Sequence, residues 1–129
     1  MNINKFTQKS IQAVNDLEKI AYEYGNQEIE EEHLLYCLLN QEDSLILKLI
    51  EKMEINKDEL QRSLIDALNK RPKVSGGQVY IGKDLNRVLV SAEDEAKAMG
   101  DEYVSVEHLF LAMLKQPSRM VKELFRSYG

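Results

Sequence analysis

The strongest constraint on this fold is that the chain repeats itself. Slid against itself by 75 positions, the sequence aligns without a gap from about Phe6 onward. Glu18 meets Glu93, Ala21 meets Ala96, Gly25 meets Gly100, and Glu32-His33-Leu34 meets Glu107-His108-Leu109. Leu39, Gln41 and Leu49 meet Leu114, Gln116 and Leu124. Between these identities apolar character is kept, as in Val14 with Leu89, Ile29 with Val104 and Ile46 with Val121. A repeat of this kind is one supersecondary unit that cannot bury its apolar face alone, so two copies are expected to share a core.

Each unit reads as helices. Ile11, Val14, Leu17, Ala21 and Tyr24 recur at spacings of three and four and share one helical face. Gly25 then stands where a left-handed cap ends a helix. Leu85, Val88, Leu89, Ala92, Ala96 and Met99, closed by Gly100, repeat the pattern. EHLLYCLLNQ and EHLFLAMLKQ supply the second helix, with Ser105 as N-cap in one copy and Glu30 in the other. A third helix follows Ser44 and Ser118. A fourth, in the first copy, opens with an Asn56–Glu59 capping box and stops before Pro72. The expected architecture is all-α: a tandem of two four-helix units with pseudo-two-fold symmetry, the last helix absent. Repeat one covers about 5–71, the linker 72–82 and repeat two about 83–129, in one domain. The stop at Gly129, short of the second copy's fourth helix, suggests a fragment of something longer.

Composition narrows the function. The chain has 129 residues and a net charge of −5, which argues against nucleic-acid or anionic-membrane binding. Lys70, Arg71 and Lys73 form the one basic cluster and suit the negative end of a helix. A lone cysteine, Cys37, excludes an internal disulfide, and no apolar run approaches the roughly 18 residues of a membrane span. A soluble, cytoplasmic, monomeric domain is expected.

Chemistry finds little foothold. His33 and Cys37 share a helical face, yet the second copy has Ala112 at the cysteine position, and structural zinc wants four ligands. Cys37 lies among leucines, where a thiol is inert. Gly82-Lys83 is followed by Asp84 instead of the Ser or Thr of a phosphate-cradling loop. Runs such as Glu30-Glu31-Glu32 read as a solvated helix start. The reading is a binding module, not an enzyme, with no cofactor and no metal.

Several stretches together carry a family likeness: KFTQKS, YGNQEI, EHLLYCLLNQ, RPKVSGGQVYI and LNRVLVSAEDEAKAMGDEYVSVEHLFLAML. They resemble the N-terminal domain of Clp ATPases, the ClpB disaggregase type most of all. The resemblance implies a doubled four-helix unit that docks unfolded or aggregated protein, or an adaptor, for the ATPase modules of a hexameric parent. It implies roles in substrate handling for Thr7, Asp101 and Glu107, each of which also suits a helix cap, a turn or a helix dipole. It also implies an apolar groove, with Val88, Leu89 and Val90 as candidates. Three successive apolar residues on a helix cannot all face one core, so Val90 is expected outside. Similarity to ClpC-type domains implies a second ligand, phosphoarginine. A carboxylate at Glu32 or Glu107 would hold the guanidinium and a helix start the phosphate. Since Thr7 is matched by Gly82, a site at Thr7 and Glu32 is favoured over one at Glu107. A third possibility is a structural cap that regulates the motor ring.

Overall fold

The computed structural model describes residues 3–126 and residue 128. After a 3-10 turn at Ile3–Lys5 come α1 (Gln8–Glu23), β1 (Glu28–Ile29), α2 (Glu31–Leu39), α3 (Leu45–Lys52) and α4 (Lys57–Lys70). Then follow β2 (Tyr80–Ile81), α5 (Lys83–Ala98), α6 (Val106–Lys115) and α7 (Arg119–Arg126). Stepping 75 residues from α1 gives α5 end to end, and the same step carries α2 onto α6 and α3 onto α7 within a residue.

The helix ends follow the local chemistry. The Thr7 hydroxyl accepts the Ser10 N–H at the start of α1, and the Ser44 hydroxyl accepts the Leu47 N–H at the start of α3. At α4 the Asn56 carboxamide takes two free N–H groups, those of Asp58 and Glu59. Arg71 turns extended, as a residue before proline must. Gly25 and Gly100 close α1 and α5 at φ +69° and +72°, a region where a side chain is strained.

The repeats interlock through their connectors. The chain ahead of α5 pairs in parallel with the first repeat, Ile29 opposite Ile81. The chain ahead of α1 pairs in parallel with the second, Phe6 opposite Val104. Gly82 N–H donates to the Ile29 carbonyl at 2.8 Å, and Thr7 N–H to the Val104 carbonyl at 2.9 Å. Each repeat therefore completes the other's entry strand, which places the start of α5 beside α2 and the start of α1 beside α6.

At the centre lies α2, in contact with all six other helices. That position explains why EHLLYCLL has no polar face: every residue of α2 but Tyr36 is buried. Leu34, Leu35 and Leu38 are fully buried, and each contributes about 1.5–3 kcal/mol of apolar burial. Its polar first turn, Glu31-Glu32-His33, is buried as well and must find partners inside the protein.

Candidate functional site

The two histidines are braces. His33 Nδ1 accepts the Glu30 N–H at 2.9 Å, so its proton sits on Nε2, which donates to Asn26 Oδ1 at 3.0 Å. His108 does the same, accepting from Ser105 N–H at 2.8 Å and donating to Asp101 Oδ2 at 2.8 Å. Each histidine thus takes the place of the usual Glu or Gln in a capping box and ties the helix start to the residue after the capping glycine. Burial, helped by the positive charge of Arg71, lowers the pKa of His33 to about 4 and keeps the ring neutral near pH 7.

The two glutamates, alike in sequence, differ in surroundings. Glu32 is buried, and its Oε2 receives Arg71 Nη1 at 2.7 Å, while Arg71 Nη2 reaches Glu28 Oε1 at 3.0 Å. Arg71, the last residue of the first repeat, therefore fills that repeat's guanidinium position. The basic cluster was expected to complement a helix end: Lys70 does so in the last turn of α4 and Lys73 by donating to the Tyr24 carbonyl at the end of α1, whereas Arg71 pairs with carboxylates instead. Glu107 is exposed, and among the described residues nothing pairs with it.

The helix starts differ in the same sense. Gly82 has no side chain to cap α5, and the Glu30 carboxylate enters from the other repeat to accept the Leu85 N–H at 3.0 Å. A Cβ on Gly82 would lie only 2.5 Å from the Glu30 carboxyl carbon, so the glycine makes room for that cap. At α1 the same job falls to Thr7, beside Ser105 of the other repeat. Threonine with serine and glycine with glutamate are two solutions to one capping problem. Burial raises the pKa of Glu30, against the opposing pull of the Leu85 N–H. Glu31, buried beside it, is pushed up to about 7 by burial, with the Ser118 N–H at 2.9 Å acting the other way.

These contacts correct the pairing of Thr7 with Glu32. Because the entry strands cross over, Thr7 lies against Val104 and shares a cleft of about 340 Å³ with Ser105 and Val106, on the Glu107 side. Glu32 belongs to the α5 end and is already paired. Val88 and Leu89 are corrected too: at 0% and 1% exposure they are core residues and line no open groove. Val90 is 51% exposed. Glu93 and Lys97 follow it at spacings of three and four, and they line a second cleft with Lys5, Asp101, Glu102 and Val104. Two further side chains that periodicity assigned elsewhere or passed over, Met99 and Tyr103, are 57% and 48% exposed.

Among the described residues the second repeat presents an open corner at Met99 to Tyr103, after α5, and Glu107 on α6, while Val90 is exposed separately in the middle of α5. The first repeat's equivalent is covered by its linker. Val74 N–H donates to the Gly25 carbonyl at 2.8 Å, Asn26 Nδ2 reaches the Pro72 carbonyl at 3.4 Å, and the Lys73 ammonium lies 5.7 Å from the centre of the Tyr24 ring. Of the missed residues, Glu30 had one signal in the sequence: its repeat partner, Ser105, is not like it.

Comparison with known proteins places this geometry. Residues 5–128 match the family model of the Clp repeat N-terminal domain. The chain is 42% identical over 126 residues to the chaperone protein ClpB of Nitratidesulfovibrio vulgaris and 41% over 114 residues to that of Porphyromonas gingivalis. These alignments cover 94% and 88% of the chain but 15% and 13% of the relatives, so it spans about a seventh of their length. In fold it is similar to the Hsp104 N-terminal domain from Candida albicans, with a TM-score of 0.84 at 20% identity over 97% of this chain and 82% of that one. The N-terminal domain of the ClpV1 ATPase from E. coli gives 0.84 at 21% identity over 98% and 77%. The chain belongs to the Clp repeat N-terminal domain family.

Proposed function

We propose that this domain captures exposed segments of unfolded or aggregated protein, or an adaptor, for the ATPase modules of a ClpB-type disaggregase, and that the open corner of the second repeat does so. One observation carries the reading: in the second repeat the large apolar side chains Val90, Met99 and Tyr103 are exposed. Exposed Val90, Met99 and Tyr103 offer apolar area, and Asp101 and Glu107 offer carboxylates beside it. Contacts of this kind tolerate many sequences, as a general client receptor requires. The mechanism is capture without chemistry: weak binding raises the local concentration of clients near the motor.

The test is binding of a chemically unfolded model protein to the domain and to Val90→Asp, with the resting ATPase of the full-length parent measured in parallel. Lost client binding with unchanged ATPase supports capture. Altered ATPase with intact binding supports a structural cap.

A phosphoarginine reader is the second reading, and the clasp of Glu32 on Arg71 favours it, because it shows a carboxylate of the Glu-His phrase holding a guanidinium. Against it stands the α5 start, where Glu30 fills the place a phosphate would need. A phosphoarginine site would therefore use Thr7 and Glu107, and free phosphoarginine should then shift the amides at the start of α1.

A further inference from the structure

Glu31 is a carboxyl group where the repeat calls for an apolar side chain. Its partner 75 residues on is Val106, which opens α6 and is buried. Glu31 opens α2, the central helix, and is 1% exposed. Its Oε1 crosses to the second repeat and accepts the N–H of Ser118, the residue ahead of α7, at 2.9 Å. Glu30 crosses as well, to the Leu85 N–H at the start of α5. Two adjacent side chains of the first repeat therefore hold the starts of two helices of the second. The ground they occupy has an open counterpart. The 75-residue step relates Glu30, Glu31, Gly82 and Ser118 to Ser105, Val106, Thr7 and Asp43, and these last four line the cleft of about 340 Å³. Serine and valine leave that cleft open, whereas the two glutamates reach into its equivalent.

The charges that act on Glu31 are all negative: Glu30 and Glu32 beside it and Asp84 on α5. The nearby cations are engaged elsewhere or face solvent. Arg71 pairs with Glu32, Arg87 lies 3.8 Å from Asp84, and Lys83 and Arg119, at the starts of α5 and α7, are exposed. From α7 the group facing Glu31 is the Ser118 N–H. We infer that Glu31 is a proton-operated latch between the repeats: protonated, it stays buried and holds the start of α7, and ionised, it turns out to water, which loosens the starts of α7 and α5 and opens the second cleft. An ionised carboxylate buried among like charges is costly. The Ser118 N–H favours the ionised form, but burial outweighs it and sets the pKa at about 7. The closed junction thus binds the proton more tightly than the open one. Closure is favoured fully below about pH 4.5, and the advantage is lost as pH rises through about 7.

The experiment follows the isotopically labelled domain by NMR between about pH 5 and about pH 8, reading the Glu31 carboxyl carbon and amide hydrogen-exchange protection corrected for the intrinsic effect of pH. The carboxyl carbon should titrate near pH 7. Protection at Ser118 and Leu85 should fall at least about tenfold across the range, while Leu17 and Leu64, in the core of the first repeat, keep theirs. Glu31→Gln keeps an oxygen for the Ser118 N–H and cannot ionise, so both amides should stay protected throughout. Glu31→Val, which installs the side chain of the other repeat, should abolish the pH dependence at Leu85. A carboxyl titration below about pH 5 overturns the inference. So does a loss of protection shared equally by all four amides, which is global destabilisation and no latch. An unchanged pH profile in Glu31→Gln overturns it as well.

Discussion

Replacing Arg71 by alanine tests the asymmetry between the repeats at its source. The Glu32 side chain is 2% exposed, and Arg71 gives it a hydrogen bond at 2.7 Å. Removing one partner of a buried pair costs about 3–5 kcal/mol, because a charge is left without compensation. Two features of this site temper that figure. Arg71 Nε is buried with no acceptor among the described residues, a penalty of roughly 1–3 kcal/mol that disappears along with the side chain. The second contact, to Glu28, is half open to solvent and worth at most about 1 kcal/mol. The net expectation is a loss of about 2–3 kcal/mol, or roughly 8–12 °C in Tm for a domain of this size. Urea unfolding followed by circular dichroism reads it directly. Glu32→Gln should cost less, since its amide oxygen still accepts from Arg71. The double change Arg71→Met with Glu32→Leu should recover most of the loss, as apolar replacements of buried pairs do. A loss under about 0.5 kcal/mol in Arg71→Ala, or a double variant weaker than the single one, refutes the reasoning.

Three further outcomes follow from the same contacts. Glu31, whose folded pKa of about 7 lies above the ordinary carboxylate value, binds its proton more tightly in the native state, so it lowers stability progressively as pH rises from about 4.5 to 7. Glu31→Gln should therefore stabilise the domain by about 1–3 kcal/mol at pH 8 and leave it unchanged near pH 4, as thermal melts at the two pH values will show. Gly82→Thr and Glu30→Ser should each cost about 1 kcal/mol by disturbing the α5 cap, yet together come close to neutral, because they install the Thr7–Ser105 arrangement at α5. Cys37, buried and with its thiol pushed up to about 12 by burial, should react with a thiol reagent only at the rate at which the domain unfolds.

Much of the scaffold is legible in the sequence because its causes are local. The 75-residue register, the three-and-four spacing of α1 and α5, the capping glycines, and Ser44, Asn56 and Pro72 mark the helices. Val90 outside and Val88 and Leu89 inside follow from helical geometry alone. What the sequence hides is the crossover of the entry strands, since two-residue pairings leave almost no pattern. That crossover joins Thr7 to Val104 and Ser105, and Gly82 to Glu30. Without it, pairing Thr7 with Glu32 by their nearness along the chain is natural and wrong. Arg71 is hidden for the same reason, because its partners lie 39 and 43 residues away. The repeat did carry a clue. Glu30 facing Ser105, Glu28 facing Tyr103 and Asn26 facing Asp101 are among the positions where the two copies differ in charge, and they lie close together along the chain.

The central claim is that capture belongs to the second repeat, and chemical-shift mapping with a chemically unfolded model protein tests it most directly. The account predicts shifts gathered at Val90, Met99 to Tyr103 and Glu107, with Gly25 to Glu28 and Arg71 to Val74 unmoved. Shifts centred on the first repeat's covered corner, or spread equally over both, would contradict it.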